Sequence, residues 1–418
     1  MARIPREKNA AWVYIEAVNA YVEPPQAVQE AFDYAVQTAW PEGQTALAAY
    51  LDDPANQLAM ETARRASSME RCQMPYFGDA NQSIVGMLLP NLSNLRFLGK
   101  LMVAQGRRLE AADDFSGAAS SYLTAMGLGE HTAQAITLIE GLVGIAVWSL
   151  ADRALIDMVL RRPLSAKQLG MLEAEFKRRA PRLPSAEVGL RCEGRFGPAM
   201  VDELCSRPLH FVGNFTALLN AEDGIFFGSA GPVPEDGWGR LEQRIGKLIF
   251  PDRAIKRHMK GYYDRVVERS VIGAYRATQM DFDDERYLAK KIPQWDILSR
   301  ALLPSLSRAT TLGELCKAEL ALIRAATAIR RHMLAHEGRP PVNLDELTQR
   351  LPQDALIDPF SDRTLVYRQG DGTWMIYSIG EDFIDDGGRT GKRRNVPDIV
   401  YRFPPDPLEP FDTPEQEE

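Results

Sequence analysis

The chain has 418 residues, 45% of them hydrophobic and 25% charged, with a formal net charge of −8. These are the values of a globular protein long enough for two or three domains. They count against a nucleic-acid binder, which carries a net basic patch or stripe. The four cysteines, Cys72, Cys192, Cys205 and Cys316, form no CxxC pair and no zinc spacing, and read as buried free thiols.

The start, Met1 to Lys8, is charged and has no apolar run behind it, so no signal peptide is read there. The longest apolar stretch, Gly141 to Leu150, falls short of the roughly 20 residues that span a bilayer. The expectation is a chain without a transmembrane segment. As written it is cytoplasmic, or it belongs to the cell envelope if a leader or anchor has been removed.

Residues 1–310 read as one α-helical domain. Trp12, Ile15, Val18 and Val22 make a helical stripe over Asn9 to Val22. Pro24-Pro25 ends it, and Pro25 opens a second helix through Trp40. A third covers Gln44 to Met69, interrupted near Pro54. Met74 to Pro90 reads as loop with a short apolar segment. Ser93 is placed as the N-cap of a helix to Leu109. Asp113 or Asp114 starts the next, with Ala118, Tyr122, Ala125 and Leu128 inward. A long apolar helix is expected from Thr132 to about Leu160, and Ser165 caps another to about Ala180. Arg96 to Gly129 resembles one tetratricopeptide-like (TPR-like) unit. No second copy follows at a fixed period, so irregular helical-hairpin packing is expected rather than a solenoid. Ile225 to Trp238 is a Gly- and Pro-rich loop, and the helical pattern from Leu241 to Met280 breaks near Pro251.

The character changes over residues 311–403, which read as a small α+β module. Leu312, Leu315, Leu322, Ile329 and Met333 form a stripe on a long helix ending near His336, where Gly338-Arg339-Pro340-Pro341 stops it. Asn343 caps a short helix, Leu344 to Leu351. Strand patterns follow at Thr364 to Arg368, Trp374 to Ser378 and Asp398 to Phe403, with a hairpin turn at Gln369-Gly370-Asp371-Gly372. Asp358, before Pro359, is assigned a turn-fixing role in which its side chain bonds amides two residues on. Residues 404–418 hold five prolines, six acids and no base, and read as a disordered tail.

The order of short motifs in this module is specific. A long helix leads into HEGRPPVNLDELTQRLP, then DPFSDRTLVYR, then YSIGEDFIDDGG, then PDIVYRF. Over about 90 residues this resembles the globular head of bacterial type II secretion pseudopilins, most closely the major pseudopilin. The cleavable leader and hydrophobic N-terminal helix of those proteins have no counterpart in this sequence. The resemblance therefore implies the head module and not filament assembly. The whole chain resembles uncharacterised bacterial proteins that join a helical region to the same module. The pseudopilin resemblance also implies calcium. Its ligands fall on Asp382 of the S-x-G-x-D motif, on Asp386 or its neighbour Asp385 before Gly387-Gly388, and on Asp398. Oxygen-rich loops suit calcium, and crowded acids need a cation or nearby bases. The other reading of the loop is an acidic surface turn balanced by Arg389 and Lys392 to Arg394.

Other constellations carry less. His332 and His336 share a helix face, but no Glu stands where a metalloprotease motif needs its base. No phosphate loop and no G-x-S-x-G occur. The expected function is that of a non-enzymatic interaction or scaffold protein, with protein partners bound through the helical domain and a link to secretion or cell-envelope machinery. The alternative is a hydrolase-type enzyme with its site in a cleft of the helical domain, involving His131, His210 or His258.

Overall fold

A computed structural model describes residues 4–75, 92–206, 252–280, 284–296, 299–300, 303, 306–348, 350–389, 398–408 and 410–411. The chain is mainly helical and carries a small antiparallel sheet system near its C-terminal end. The helices are α1 (Ala10–Ala20), α2 (Gln26–Gln37), α3 (Thr45–Leu51), α4 (Pro54–Ser67), α5 (Leu92–Ala111), α6 (Phe115–Ala133), α7 (Leu138–Arg161), α8 (Ala166–Arg179), α9 (Glu187–Ser206), α10 (Asp252–Ile272), α11 (Ala274–Gln279), α12 (Asp284–Lys291) and α13 (Leu306–Ala335). The expected loop at 225–238 and most of Met74 to Pro90 lie outside the described residues.

Side-chain caps set several of these boundaries. Asp53 accepts the Ala55 amide and opens α4 with Pro54 at its first position. Asp114, one of the two expected starts, accepts the Gly117 amide and opens α6. Ser165 and Gln168 close a reciprocal capping box on α8. The expected helix from Thr132 to Leu160 is two. Thr137 and Glu140 form a capping box that starts α7 afresh after α6 has ended at Ala133. Ser93 lies inside the first turn of α5 rather than capping it. Asn343 does accept an amide, from Asp345, but the turn it opens is 3-10 and stops at Leu347.

Helices α5, α6 and α7 pack as successive neighbours around Leu98, Leu101, Tyr122, Trp148 and Leu155. Small residues let α6 and α7 approach closely. A Cβ on Gly129 would stand 2.6 Å from the Gly144 carbonyl oxygen and 2.8 Å from the Trp148 nitrogen, both backbone atoms. At the end of this trio Arg107, buried, meets Asp157 at 2.8 Å, while Glu110 accepts from Tyr122 and Arg162 at 2.8 Å each.

The long helix α13 belongs to this same core. Leu322, Ala325 and Ile329 are buried in one cluster with Leu155, Leu169 and Phe176, so apolar packing runs across residue 310 without a break. A second cluster joins α9, α10, α12 and the start of α13 around Met259, Tyr262 and Val266.

The sheets lie against α13. A two-residue ladder pairs β1 (Ile357–Asp358) with β2 (Arg363–Thr364). A three-stranded meander follows: β3 (Val366–Gln369), β4 (Trp374–Ser378) and β5 (Ile399–Phe403), with Tyr367 opposite Ile376 and Ile376 opposite Tyr401. Trp374 and Ile376 point into the core, as period-two alternation requires. Arg330 on α13 stacks over Phe403 at 4.3 Å and donates to the carbonyls of Val159 and Arg162 at the end of α7. Where a disordered tail is expected, the described residues continue past β5, and Phe411 packs on Tyr34 of α2 with ring centres 4.9 Å apart.

The joint between helices and sheet holds acids. Asp152 of α7 is fully buried and accepts from the Tyr401 hydroxyl of β5 at 3.2 Å, and its Oδ1 has no hydrogen bond among the described residues. Glu319 of α13 is buried beside it and accepts from Ser149 at 2.8 Å. Burial pushes the Glu319 carboxyl up to about 7. Asp152 is raised well above its ordinary value, by burial first and by Glu319 second.

Candidate functional site

The acidic loop that joins β4 to β5 grows out of two motifs clasped by one carboxylate. Asp358, buried, accepts from the Phe360 amide at 3.0 Å, as expected. It also accepts from the Ser378 hydroxyl at 2.7 Å and the Ile379 amide at 3.1 Å. The D-P-F turn and the start of S-x-G-x-D are thus held together, and the loop leaves from a fixed point. Gly380, Phe383, Gly387 and Gly388 all take positive φ, which lets the chain wrap.

Each of the four expected metal-ligating acids has a defined place. Asp382 accepts the Ile384 amide at 3.1 Å. Asp385 uses Oδ1 for the Tyr377 hydroxyl and the Gly387 amide, both at 2.9 Å. Asp398, buried, accepts the Gly388 amide at 2.6 Å and the Asp386 amide at 3.4 Å. Burial raises the Asp398 carboxyl, and the amides of Gly388 and Asp386 act against that. Burial, then Asp385, pushes the Tyr377 phenol up to about 12. The Asp386 carboxylate and Asp385 Oδ2 make no hydrogen bond among the described residues, so acceptor capacity remains. Among the described residues no group of three His, Cys, Asp or Glu side chains converges as a metal centre. The donor set, all oxygen, has the chemistry calcium takes. The bases that meet this loop include Arg368, on the Gly387 carbonyl and Tyr377, and Arg402, on the Gly388 carbonyl. Of the bases the sequence nominated, Lys392 to Arg394 lie outside the described residues.

A second feature was not legible from motifs. Helices α4, α6 and α8 border an open groove of about 490 Å³. Phe115, Leu123, Met158 and Leu172 contribute its apolar lining, and Met171 on α8 is exposed at its edge. Hydroxyls of Ser67, Ser116, Ser120 and Thr124 line it as well. Arg64, Arg178 and Arg179 are the cations of the lining, and Glu175 is its one acid. Arg178 pairs with Glu175 at 2.6 Å, and Arg179, buried, pairs with Glu130 at 2.8 Å. Arg64 is exposed and makes no ion pair among the described residues. The sequence did hold one signal: Met171 interrupts the polar face of α8, where a solvated helix would carry charge.

Of the three histidines named for an enzyme site, His131 and His258 have separate partners. His131 is buried beside Glu130 and shares a hydrogen bond with Tyr14 at 3.0 Å. Burial, helped by Arg182 and Arg179, pushes it down to about 4, so it is neutral at pH 7. His258 pairs with buried Asp296 at 2.7 Å, and Asp296 also accepts the Ser299 amide. His210 lies outside the described residues. His332 and His336 stack with ring centres 3.9 Å apart, and Glu346 is 3.7 Å from His332. Among the described residues no helix is long and apolar enough to cross a membrane. No family model, no curated protein and no solved structure matches this chain.

Proposed function

We propose that this chain is a non-enzymatic interaction protein whose helical body receives an acidic, amphipathic segment of a partner protein. The observation that carries the reading is the α4–α6–α8 groove, which joins an apolar lining to three arginines and one glutamate. Amphipathic segments lay an apolar face into such grooves, and Arg64, exposed and without an ion pair among the described residues, favours an acidic flank. The C-terminal module, which resembles a pseudopilin head, serves as a second contact surface stapled by calcium at Asp382, Asp385, Asp386 and Asp398. This supports a role beside secretion or cell-envelope machinery.

Photo-crosslinking from position 171 in the protein's own cells tests the groove. The expected result is one recurrent protein adduct that disappears in a Leu123→Arg background. Adducts identical to those from a control probe at exposed Leu334 would defeat the reading. For the staple, thermal unfolding of the full chain is compared in calcium and in chelator. A ligand that binds only the folded state raises the midpoint by mass action. The rise should be lost in Asp386→Asn, which removes a carboxylate that makes no hydrogen bond among the described residues.

A further inference from the structure

On another side of α13 a cleft of about 380 Å³ opens between α10–α11, α13 and the turn that precedes β1. Three cations line it: Arg276, Lys317 and Arg324. Two of them already hold carboxylates. Arg276 pairs with Asp362, and Lys317 pairs with Glu314 at 2.9 Å. Arg324, half-buried, makes no hydrogen bond or ion pair among the described residues. Burial lowers its guanidinium from the usual value, and only the field of exposed Asp354 acts the other way. A guanidinium does not give up its proton in a protein, so Arg324 presents a permanent positive charge to the cleft it lines.

We propose that this cleft binds a small organic acid, its single carboxylate received by the fork of Arg324 and its apolar body by Leu183, Ile272 and Ile357. The guanidinium fork matches a carboxylate bidentately. The volume lies in the range of small-molecule sites, about 300–1,000 Å³. Glu314, Asp354 and Asp362 also line the cleft. They repel a multiply charged anion more than a singly charged one, which favours a monocarboxylate over a phosphate. This site is separate from the α4–α6–α8 groove and does not depend on it.

Titration calorimetry on the full chain tests the proposal with 3-phenylpropanoate as probe, against its uncharged amide and inorganic phosphate. The carboxylate should bind saturably, and the amide and phosphate at least about tenfold more weakly, the worth of a charge-assisted hydrogen bond. Arg324→Gln should weaken the carboxylate by about tenfold or more. Asp354→Asn should bind it as well as the parent or better. Arg324→Lys, which keeps the charge without the fork, gives an intermediate affinity and stands in if the glutamine variant does not fold. No saturation at millimolar probe, equal affinity for the amide, or unchanged affinity in both Arg324 variants would each overturn the site.

Discussion

Replacing Glu319 by glutamine should make the protein more stable in alkali and leave it nearly unchanged in acid. Glu319 is buried between α7 and α13, and its carboxyl lies at about 7 against an ordinary 4.5. The first cause is desolvation of the charged form. The folded value is above the unfolded one. Its contribution is therefore fully present below about 4.5 and is lost as pH rises through about 7. At about 1.4 kcal/mol per tenfold change in the proton equilibrium, this loss is at most about 3–4 kcal/mol. Glutamine has no charge to desolvate, and its amide oxygen can still accept from Ser149, which now donates to Glu319 at 2.8 Å. Denaturant unfolding at pH 5, 6, 7 and 8 would measure it. The parent should lose stability across that series, and the variant should lose less, so that the two curves lie within about 1 kcal/mol of each other at pH 5 and separate by about 3 kcal/mol at pH 8. Asp152 still titrates in the single variant, and adding Asp152→Asn should flatten what slope remains. Parallel curves for parent and Glu319→Gln would refute the buried-charge account.

Asp358→Ala removes the acceptor shared by Ser378, Ile379 and Phe360. Hydrogen bonds to a charged acceptor are worth about 1.5–3 kcal/mol each and do not add fully, so a loss of at least about 3 kcal/mol is expected in equilibrium unfolding, with early proteolytic cleavage after β4. Gly129→Ala drives a methyl into the backbone of Gly144 and Trp148. Overpacking of this kind costs about 1–3 kcal/mol and should appear as a lower melting temperature, whereas Gly43→Ala, which meets no atom within 4 Å, should show only the strain of its positive φ.

The helical architecture was legible because it rests on local signals. Ser165 and Asn343 cap as expected, Asp114 does so of the pair Asp113 and Asp114, and Ser93 does not. The break between α6 and α7 does not show in the periodicity, although Thr137 and Glu140 spell a capping box. Apolar periodicity is strong on both sides, and no glycine or proline stands at the junction to interrupt it. The strands β3, β4 and β5 were found within two residues of their ends, since alternation and the turn at Gly370-Asp371 mark them. What stayed hidden depends on distance along the chain. Ser378 and Asp358 meet across 20 positions and Tyr401 and Asp152 across 249, and no local pattern encodes either. The α4–α6–α8 groove is hidden for the same reason. Its arginines come from two helices, and each looks like an ordinary surface residue until the helices are set side by side.

The separation between Tyr401 and Asp152 bears on how the molecule is made. Ribosomes add about 5–20 residues per second, so α7 emerges roughly 12–50 s before the strand that covers it. During that interval Asp152 lacks the Tyr401 hydroxyl it accepts from in the finished fold. The helical body is thus completed from the far end of the sequence. A nascent chain stalled before β5 would present a sticky, acidic seam, a form on which chaperones or proteases act long before the finished fold exists.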